Sequence, residues 1–376
     1  MKKTVLLIRN VAPEKYGGGE SYQLMLAKQL QKHGFRPVIL SSSKKLRAEA
    51  KTAGFDSEEC PFLKRQNWSG WRNLLFPIYV AQILWLRKWY KRIFEKYQPS
   101  VINVQSRDDW IAATPIAESL GARVLWTDHM DFRSWVMQNV DSPIKNPIAK
   151  WLLRVAKRAD KIIFISDFER KYFSGINRAK SLRNLAVIKN GAIDSAAKFK
   201  DAHTNPDEIL YLGRLEDYKG VKELIEAFMQ ISDSFPKARL KIYGAGPYEK
   251  ELKKMAGERV EFLGFTDESL AKMAESQIFV LASYREGLSL SLLDAAMLGR
   301  TIIASDIDGN PEIVIDKKTG LLVPARDVDA LAGALRKVLS DKKLAQQLAK
   351  GARRHFEENF DFEKIFKTQM LELYEK

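Results

Sequence analysis

The residues with the clearest chemical use lie between Ser283 and Gly299, in the run SYREGLSLSLLDAAMLG. Glu286 follows an apolar, strand-like stretch, and a short turn of small residues separates it from a helix-like stretch that carries Asp294. The free backbone N–H groups and the dipole of a helix N-terminus attract an anion such as phosphate. A carboxylate beside them accepts hydrogen bonds from hydroxyl groups. The pattern therefore predicts a site for a sugar attached to a phosphate.

Two cations are predicted to lie beside such a site. The segment GRLEDYKG follows a strand-like run and opens a helix, so that Arg214 leaves the carboxyl end of a strand and Lys219 stands at a helix start. Two cations in that place would neutralise a diphosphate without a metal ion. Taken alone, these residues are explained equally well by a solvated basic loop that caps a helix. Their combination with Glu286 favours the diphosphate.

Two glycine-rich turns also follow strand-like runs and open helices. Gly244 and Gly246 in YGAGP would let the backbone approach a ligand, although the third glycine of a dinucleotide fingerprint is absent. An ordinary turn with Pro247 at the first helical position explains this segment equally well. Gly18 and Gly19 end a triple-glycine loop. Two interpretations of this loop stay open: its backbone approaches a ligand, or it is simply a flexible loop.

Two further candidates have side chains that bind protons or metals. His129 ends the strand-like run RVLWTDH. A lone histidine is more often structural, but the carboxyl ends of parallel strands are where ligands bind. Asp306 and Asp308 resemble a metal-binding Asp-x-Asp pair, and we favour a helix-capping loop because two cations already serve the phosphates. The sequence has no zinc-like Cys/His cluster, no Gly-x-Ser-x-Gly elbow and no kinase signature.

Alternating strands and helices are predicted to position these residues. The strands of the first half are Thr4–Ile8, Pro37–Leu40, Val101–Val104, Arg123–Thr127, Lys161–Ile165 and Leu185–Ile188. Those of the second half are Glu208–Leu212, Arg239–Tyr243, Val260–Leu263, Ile278–Ala282, Thr301–Ala304 and Gly320–Val323. Short apolar strands between helices indicate parallel sheets covered on both faces. The polar stretch Asn190–Pro206 is the predicted linker between two Rossmann-like domains.

Length and composition agree with two domains. A chain of 376 residues is too long for one ordinary domain, and its apolar fraction of 45% is that of a globular protein. The single cysteine, Cys60, excludes an internal disulfide and fits a reducing cytoplasm. The apolar run Val5 to Ile8 is too short for a signal peptide. No segment reaches the ~18–20 apolar residues of a membrane span.

The net charge of +15 is concentrated in the first half. Residues 1–186 carry a net charge of +17 and all eight tryptophans, whereas residues 187–376 carry −2. A basic, Trp-rich half suits an anionic membrane surface, a polyanion or nucleic acid. Within it, Phe62–Lys96 interleaves basic and aromatic residues, which fits an interfacial helix on anionic lipid. An ordinary amphipathic helix on the sheet explains that segment equally well.

These motifs, in this order, resemble those of the retaining nucleotide-sugar glycosyltransferases of the group 1 type, which are glycogen-synthase-like and are also called family 4. The resemblance rests on Gly17-Gly18-Gly19-Glu20, Asn190-Gly191, GRLEDYKG, YGAGP, SYREGLSLSLLDA, Asn310-Pro311-Glu312 and Gly320-Leu321-Leu322. It implies an α/β protein of GT-B architecture, with two facing Rossmann-like domains and a cleft between them. Residues 1–189 would form the acceptor side and 190–359 the donor side, with a helix at about 360–376 packing back on the first domain.

The resemblance also implies roles for the candidate residues. Arg214 and Lys219 would bind the donor diphosphate, Glu286 would bind hydroxyls of the transferred sugar, and His129 would stand at the reaction centre. The other donor-binding residues would be Gly18, Gly19, Gly244, Gly246, Gly287, Leu288, Ser289 and Asp294. The family usually has glutamate at the position of Asp294, where it binds the nucleotide ribose. This shorter carboxylate is the main departure from the family pattern.

The expected activity is metal-independent, retaining transfer of a sugar from a UDP- or GDP-sugar to a glycan or lipid-linked acceptor, without a cofactor. The product would be a cell-surface polysaccharide or glycolipid of a bacterium. We expect a cytoplasmic protein, peripheral at the inner face of the membrane, that binds no nucleic acid. No carboxylate is placed as a nucleophile for double displacement. Two alternatives stay open, a nucleotide-sugar 2-epimerase of the same architecture and a non-catalytic polyanion-binding protein.

Overall fold

The computed structural model describes residues 2–14, 16–63, 76–129, 147–175 and 182–375. The chain forms two compact units. The first comprises Met1–Ile188 together with Phe366–Lys376, and the second comprises Lys189–Ile365. The sequence placed the boundary between residues 189 and 190 and the return to the first domain at about residue 360. Each unit is built around its own parallel sheet.

The sheet of the first unit has seven strands, all parallel. They are β1 Thr4–Arg9, β2 Arg36–Ser41, β3 Asp56–Glu59, β4 Val101–Val104, β5 Arg123–Asp128, β6 Lys161–Phe164 and β7 Leu185–Val187. Their order is β3-β2-β1-β4-β5-β6-β7. The central strand β1 is a run of branched apolar residues from Val5 to Ile8, and all four are fully buried. Such a run is typical of a strand that has helices on both faces of its sheet.

The helices of the first unit connect these strands. They are α1 Gly18–Lys32, α2 Lys44–Thr52, α3 Phe76–Tyr97, α4 Arg107–Ser119, α5 Pro147–Ala156 and α6 Asp167–Ser174. The long helix α3 buries Tyr79, Ile83, Leu86 and Tyr90 in the core of this unit. Among the described helices, none is both long enough and apolar enough to cross a membrane. Of the predicted interfacial segment, residues 64–75 lie outside the described residues.

The end of the chain belongs to the first unit. A π-helical turn, Phe366–Met370, leads into α15, Leu371–Glu375. The Tyr374 side chain is fully buried, and its hydroxyl oxygen accepts a hydrogen bond of 2.7 Å from Nδ2 of Asn103 on β4. The Tyr374 ring also meets the Phe35 ring edge-on. Burial of these aromatic groups holds the terminal segment on the sheet of the first unit.

The second unit has a six-stranded parallel sheet. Its strands are β8 Asn205–Leu212, β9 Arg239–Tyr243, β10 Val260–Gly264, β11 Ser276–Leu281, β12 Thr301–Ser305 and β13 Leu321–Val323. Their order is β10-β9-β8-β11-β12-β13. The helices are α7 Val221–Ile231, α8 Glu249–Met255, α9 Ser269–Glu275, α10 Leu290–Met297, α11 Asn310–Ile313, α12 Val328–Ser340, α13 Lys342–Asn359 and α14 Phe362–Ile365.

Three adjacent strands of this second sheet bring the predicted site loops together. Strands β8, β11 and β12 are neighbours and run parallel, so their carboxyl ends lie at the same edge. The loops at that edge are 213–220 after β8, 282–289 after β11 and 306–309 after β12. Parallel α/β sheets bind their ligands at this edge. The strand order, rather than proximity in the sequence, therefore assembles the site.

Candidate active site

Lys219 and Glu286 form an ion pair at the carboxyl edge of the second sheet. Nζ of Lys219 donates to Oε1 of Glu286 over 2.7 Å, and the two side chains are only 16% and 11% exposed. Lys219 ends a single 3₁₀ turn after β8, and Glu286 lies in the turn after β11. Limited contact with water strengthens this attraction relative to a surface pair. An anionic ligand at this edge would compete with Glu286 for the Lys219 ammonium.

Arg214 is the second cation of the site, and its side chain is 57% exposed. Its guanidinium forms an ion pair with Glu216 and donates a hydrogen bond of 2.7 Å to the Tyr218 hydroxyl. Lys219 approaches the same ring, with Nζ 5.3 Å from the ring centroid. Tyr218 therefore contacts both cations. This contact has no signature in the sequence, because an aromatic residue in a polar loop has many ordinary uses.

Gly220 allows the Arg214 loop to lie against the end of β11. Its φ is +65°, and a Cβ atom there would lie 1.9 Å from the carbonyl oxygen of Ala282. Only glycine fits both the backbone conformation and the close approach. The amide of Tyr284 then donates to the carbonyl oxygen of Tyr218 over 2.8 Å. This contact fixes the loop that carries Lys219 to the turn that carries Glu286.

The glycines of YGAGP have a packing role in the second unit. Gly244 has a φ of +145°, and a Cβ atom there would lie 1.8 Å from the carbonyl oxygen of Gly213. A Cβ atom on Gly246 would lie 2.2 Å from the carbonyl oxygen of Leu215. The expectation that Pro247 opens the next helix is wrong, since α8 begins two residues later. Donor binding by these glycines stays a prediction.

The turn after Glu286 offers unbonded amide donors. Within the described residues, the N–H groups of Gly287, Leu288 and Ser289 have no hydrogen-bond acceptor. Ser289 is the N-cap residue of α10, but its side chain contacts Oγ of Ser291 instead of capping the helix. Unbonded donors at the start of a helix are suited to a phosphate or to sugar oxygens. Binding of a phosphate or a sugar by these amides stays a prediction.

Asp294 lies on α10, one helical turn beyond the unbonded amides. Its side chain is partly buried, and burial raises the pKa of its carboxyl from 3.8 to about 7. In the described part of the chain, no group donates a hydrogen bond to this carboxylate or pairs with it. A desolvated acid without a partner is a common feature of ligand sites, where the ligand supplies the missing donors.

His129 belongs to the first unit and follows β5. Its ring meets the ring of Tyr22 edge-on, with 4.8 Å between the centroids. Tyr22 is buried on α1, one turn beyond the glycine loop. The structure therefore places His129 at the N-terminal end of α1, at the carboxyl edge of the first sheet.

The glycine loop of the first unit opens α1. Gly18 is the first residue of that helix, after Gly17 as N-cap residue. A Cβ atom on Gly19 would lie 2.3 Å from Nη2 of Arg9. The Arg9 guanidinium forms an ion pair of 2.8 Å with the buried carboxylate of Glu20. Gly19 thus leaves room for a buried ion pair beside the helix start. Its contact with a nucleotide-sugar stays a prediction.

Asp306 and Asp308 lie in the loop that opens α11, as the favoured interpretation expected. Helix α11 has Gly309 as its N-cap residue and no side-chain hydrogen bond at that position. Instead, Oδ2 of Asp308 accepts a hydrogen bond of 2.9 Å from the amide of Glu286. The sequence carried one signal for this turn, an Asp-Gly pair that begins three residues after the end of β12. Nothing in the sequence indicated its partner.

Two family profiles cover most of the chain. The profile described as Glycosyltransferase Family 4 matches residues 16–194, and the one described as Glycosyl transferases group 1 matches residues 194–355. Glycogen synthase of Mycobacterium tuberculosis is 30% identical over 286 residues, which are 72% of this chain and 67% of that protein. The chain belongs to the group 1 glycosyltransferases. The resemblance inferred from the motifs is confirmed.

A second relative of this group 1 glycosyltransferase is the GDP-mannose-dependent alpha-(1-6)-phosphatidylinositol monomannoside mannosyltransferase of Mycolicibacterium smegmatis. It is 28% identical over 263 residues, which are 64% of this chain and 67% of that protein. Among solved structures, Anabaena Alr3699/HepE in complex with UDP has a TM-score of 0.76 at 17% identity, over 100% of both chains. At that identity the likeness concerns the fold alone. The predicted GT-B fold class of this glycosyltransferase is confirmed.

Proposed function

We propose that this group 1 glycosyltransferase moves a sugar, with retention of its anomeric configuration, from a nucleotide-sugar to a glycan or lipid-linked acceptor. The observation that carries the proposal is the ion pair of Lys219 and Glu286 beside the unbonded amides of the turn 287–289. Such a site offers donors to a diphosphate and an acceptor to sugar hydroxyls within one edge of a sheet. The combination fits a ligand that has both parts better than it fits an anion alone or a sugar alone.

The leaving diphosphate is the charge that this site has to stabilise. Lys219, Arg214 and the turn amides supply positive charge and N–H donors before the reaction starts, which is the efficient form of electrostatic catalysis. We propose that these groups suffice without a metal ion, so that transfer persists in the presence of a chelator. When the diphosphate takes the Lys219 ammonium, the Glu286 carboxylate becomes available to the hydroxyls of the sugar. Asp294 then accepts the ribose hydroxyls.

Retention is proposed from the same residues. Glu286 pairs with Lys219 in the free protein and accepts hydrogen bonds from sugar hydroxyls in the proposed complex. It is therefore not available as a nucleophile. Transfer would then proceed on the face from which the diphosphate leaves. The roles of His129, Gly18 and Gly19 in the first unit stay predictions from the family resemblance. Anomeric configuration of the product, measured by NMR coupling constants, tests retention directly.

The donor is proposed to be a UDP- or GDP-sugar. Alr3699/HepE was crystallised with UDP and with UDP-glucose, and the mycobacterial mannosyltransferase is named for GDP-mannose. We expect UDP-glucose or GDP-mannose, and not ADP-glucose, to raise the apparent melting temperature, by an amount that corresponds to about 2.7 kcal/mol at a hundredfold excess over Kd. Differential scanning fluorimetry measures this shift. If neither UDP-glucose nor GDP-mannose stabilises the protein or serves as a donor, the proposed donor class is wrong.

Incubation with the stabilising donor alone separates the alternatives. A 2-epimerase would convert the sugar without any acceptor, whereas a transferase leaves it unchanged or hydrolyses it slowly. Mass spectrometry does not resolve epimers, so chromatography of the released sugar is the deciding measurement. A polyanion-binding protein would instead bind nucleic acid with a steep dependence on salt and would show no donor-induced stabilisation.

Helix α3 supports a peripheral position at the inner face of a membrane. Its buried face packs in the core of the first unit, and its other face exposes Ile78, Leu84 and Trp85 in the first half of the helix. The same face continues with exposed Lys88, Lys91, Arg92 and Lys96 and one exposed acid, Glu95, so that cations remain in excess although Lys91 pairs with Glu95 and Lys96 with Glu58. Apolar side chains followed by cations on one helix face complement a bilayer surface that carries anionic lipid. A lipid-linked acceptor would be reached from that position.

Vesicle binding should depend on this helix face. Replacing Leu84 by Gln and Trp85 by Ser should weaken binding to phosphatidylglycerol-containing vesicles by about tenfold or more, since each side chain contributes about 1.5–3 kcal/mol when buried in an apolar phase. Sedimentation with vesicles measures the partition. Phe265→Ser is the matched control, because Phe265 is 67% exposed in the second unit and lies outside this face. Equal binding by wild type to phosphatidylcholine and phosphatidylglycerol vesicles would refute the proposal.

A further inference from the structure

We infer that Asp308 is a positioning residue for the reaction, because its carboxylate holds the backbone of Glu286 in place. The inference rests on the proposed role of Glu286 in binding the transferred sugar. Oδ2 of Asp308 accepts a hydrogen bond of 2.9 Å from the Glu286 amide. A hydrogen bond to an ionised acceptor is about twice as strong as one between neutral groups. It fixes the peptide from which the Glu286 side chain leaves.

The residue next to Asp308 packs against the same turn. A Cβ atom on Gly309 would lie 2.0 Å from the carbonyl oxygen of Gly287, so only a glycine allows this approach. Gly309 itself has an ordinary φ of −86°, and its requirement is therefore one of packing. The loop after β12 thus holds two successive residues of the turn, Glu286 through a hydrogen bond and Gly287 through close contact.

Asp308 adopts a left-handed backbone conformation, which is uncommon for residues other than glycine. Its φ is +50°, in the left-handed region where glycine and, after it, asparagine are most at ease. A glycine would meet the backbone requirement without strain, but it would have no acceptor for the Glu286 amide. Strained residues persist where their surroundings determine them, and they concentrate at functional sites. The carboxylate explains why a side chain stands at this position.

The Asp308 contact differs from the ion pair in what happens when a donor binds. Lys219 holds the side chain of Glu286, and this restraint ends when the diphosphate takes the ammonium. Asp308 holds the main-chain amide of Glu286, and no group of the nucleotide-sugar competes for that amide. It therefore remains as a restraint on the carboxylate while the sugar is bound. A displacement of about 1 Å at such a residue can lower a rate by about a hundredfold.

The test compares Asp308→Gly, which removes the acceptor and the strain, with Asp308→Asn, which keeps an acceptor oxygen and tolerates the left-handed conformation. Asp308→Gly should lower kcat with the stabilising nucleotide-sugar by about tenfold to a hundredfold, whereas Asp308→Asn should stay within about threefold of wild type. Lys317→Gly is the matched control, because Lys317 has a φ of +60° in another turn of the second unit. It should leave kcat unchanged.

Amide hydrogen exchange provides a readout that does not depend on activity. In Asp308→Gly, a peptide that covers residues 283–289 should exchange faster, and in Asp308→Asn it should keep wild-type protection. Unchanged exchange in Asp308→Gly would overturn the positioning role, whatever the activity. Faster exchange with normal kcat would overturn its part in the reaction. If wild type transfers no sugar from any donor, the proposed function fails, and exchange still decides whether Asp308 holds the turn.

Discussion

Replacement of Glu286 by alanine is expected to lower kcat/KM for sugar transfer by roughly 10²–10³-fold while the protein stays folded. The expected size is that of a lost preorganised hydrogen-bonding group in an active site. The carboxylate is the only acidic side chain that pairs with Lys219 in the described residues, and it lies beside the unbonded amides of the turn. Its loss removes the proposed acceptor for sugar hydroxyls. Initial rates with the stabilising donor measure the effect.

Lys219→Ala should cause a comparable loss, because in the proposed reaction the leaving diphosphate would lose a partly buried cation. Each single substitution also leaves one charge of the pair unmatched at low exposure, so stability should fall by about 1–2 kcal/mol. The double variant removes both charges and should regain much of that stability without regaining activity. Stability and turnover therefore separate in this set of three variants.

The matched control for the pair is Lys241→Ala. Lys241 forms an ion pair with Glu208 in the same unit, and the two side chains are 25% and 6% exposed. This variant should lose stability to a similar extent and keep its turnover. Near-normal turnover in Glu286→Ala or in Lys219→Ala would overturn the site assignment. A loss of turnover in Lys241→Ala equal to that in Glu286→Ala would show that unfolding, not chemistry, explains the result.

The sequence predicted twelve strands, and all twelve are present with slightly shifted ends. They could be found because parallel strands buried on both faces are short apolar runs that stand out between helices. The strand that was missed, β3, has the sequence DSEE and pairs only with β2 at the edge of the sheet. An edge strand of polar residues has no apolar pattern, and its hydrogen bonds to β2 are made by main-chain groups that any residue carries.

For the candidate site, the sequence indicated which residues to single out but not which of them contact each other. Lys219 and Glu286 could be singled out because each follows a strand and stands near a helix start. Their direct pairing could not, because it depends on β8 and β11 being neighbours in the sheet. The contact of Asp308 with the turn depends on a positive φ, which a sequence does not display. Residue type and order thus predict the chemistry, and backbone geometry supplies the partners.

Asp294 should make the protein less stable as pH rises. Its carboxyl has a pKa of about 7 in the folded protein against 3.8 as the ordinary value, so the folded state binds the proton more tightly. Stability therefore falls between about pH 4 and about pH 7 and stays low above that range. Asp294→Asn removes the effect and should stabilise the protein by about 1–2 kcal/mol more at about pH 8 than at about pH 5, after allowance for partial exposure.

Thermal unfolding at the two pH values measures this difference. Asp201→Asn is the matched control, because it makes the same replacement at an exposed position of the same unit. Destabilisation by Asp294→Asn at both pH values would show that the carboxylate has a structural partner. The expected gain in stability from removing a ligand-binding acid is a common consequence of keeping an active-site group desolvated.

Ionisation of Asp294 lowers folding stability as pH rises, but it should strengthen nucleotide binding. In the proposed site the ionised Asp294 carboxylate accepts hydrogen bonds from the ribose hydroxyls, so wild-type affinity for the nucleoside diphosphate of the stabilising donor should rise by about tenfold from about pH 6 to about pH 8. Asp294→Asn should bind the nucleotide more weakly and lose most of this rise in affinity. The remaining pH dependence comes from ionisation of the ligand phosphate. Asp294→Glu, the usual family residue, should retain binding. Isothermal titration calorimetry measures all three, and a wild-type pH profile identical to that of Asp294→Asn would exclude Asp294 from the ribose site.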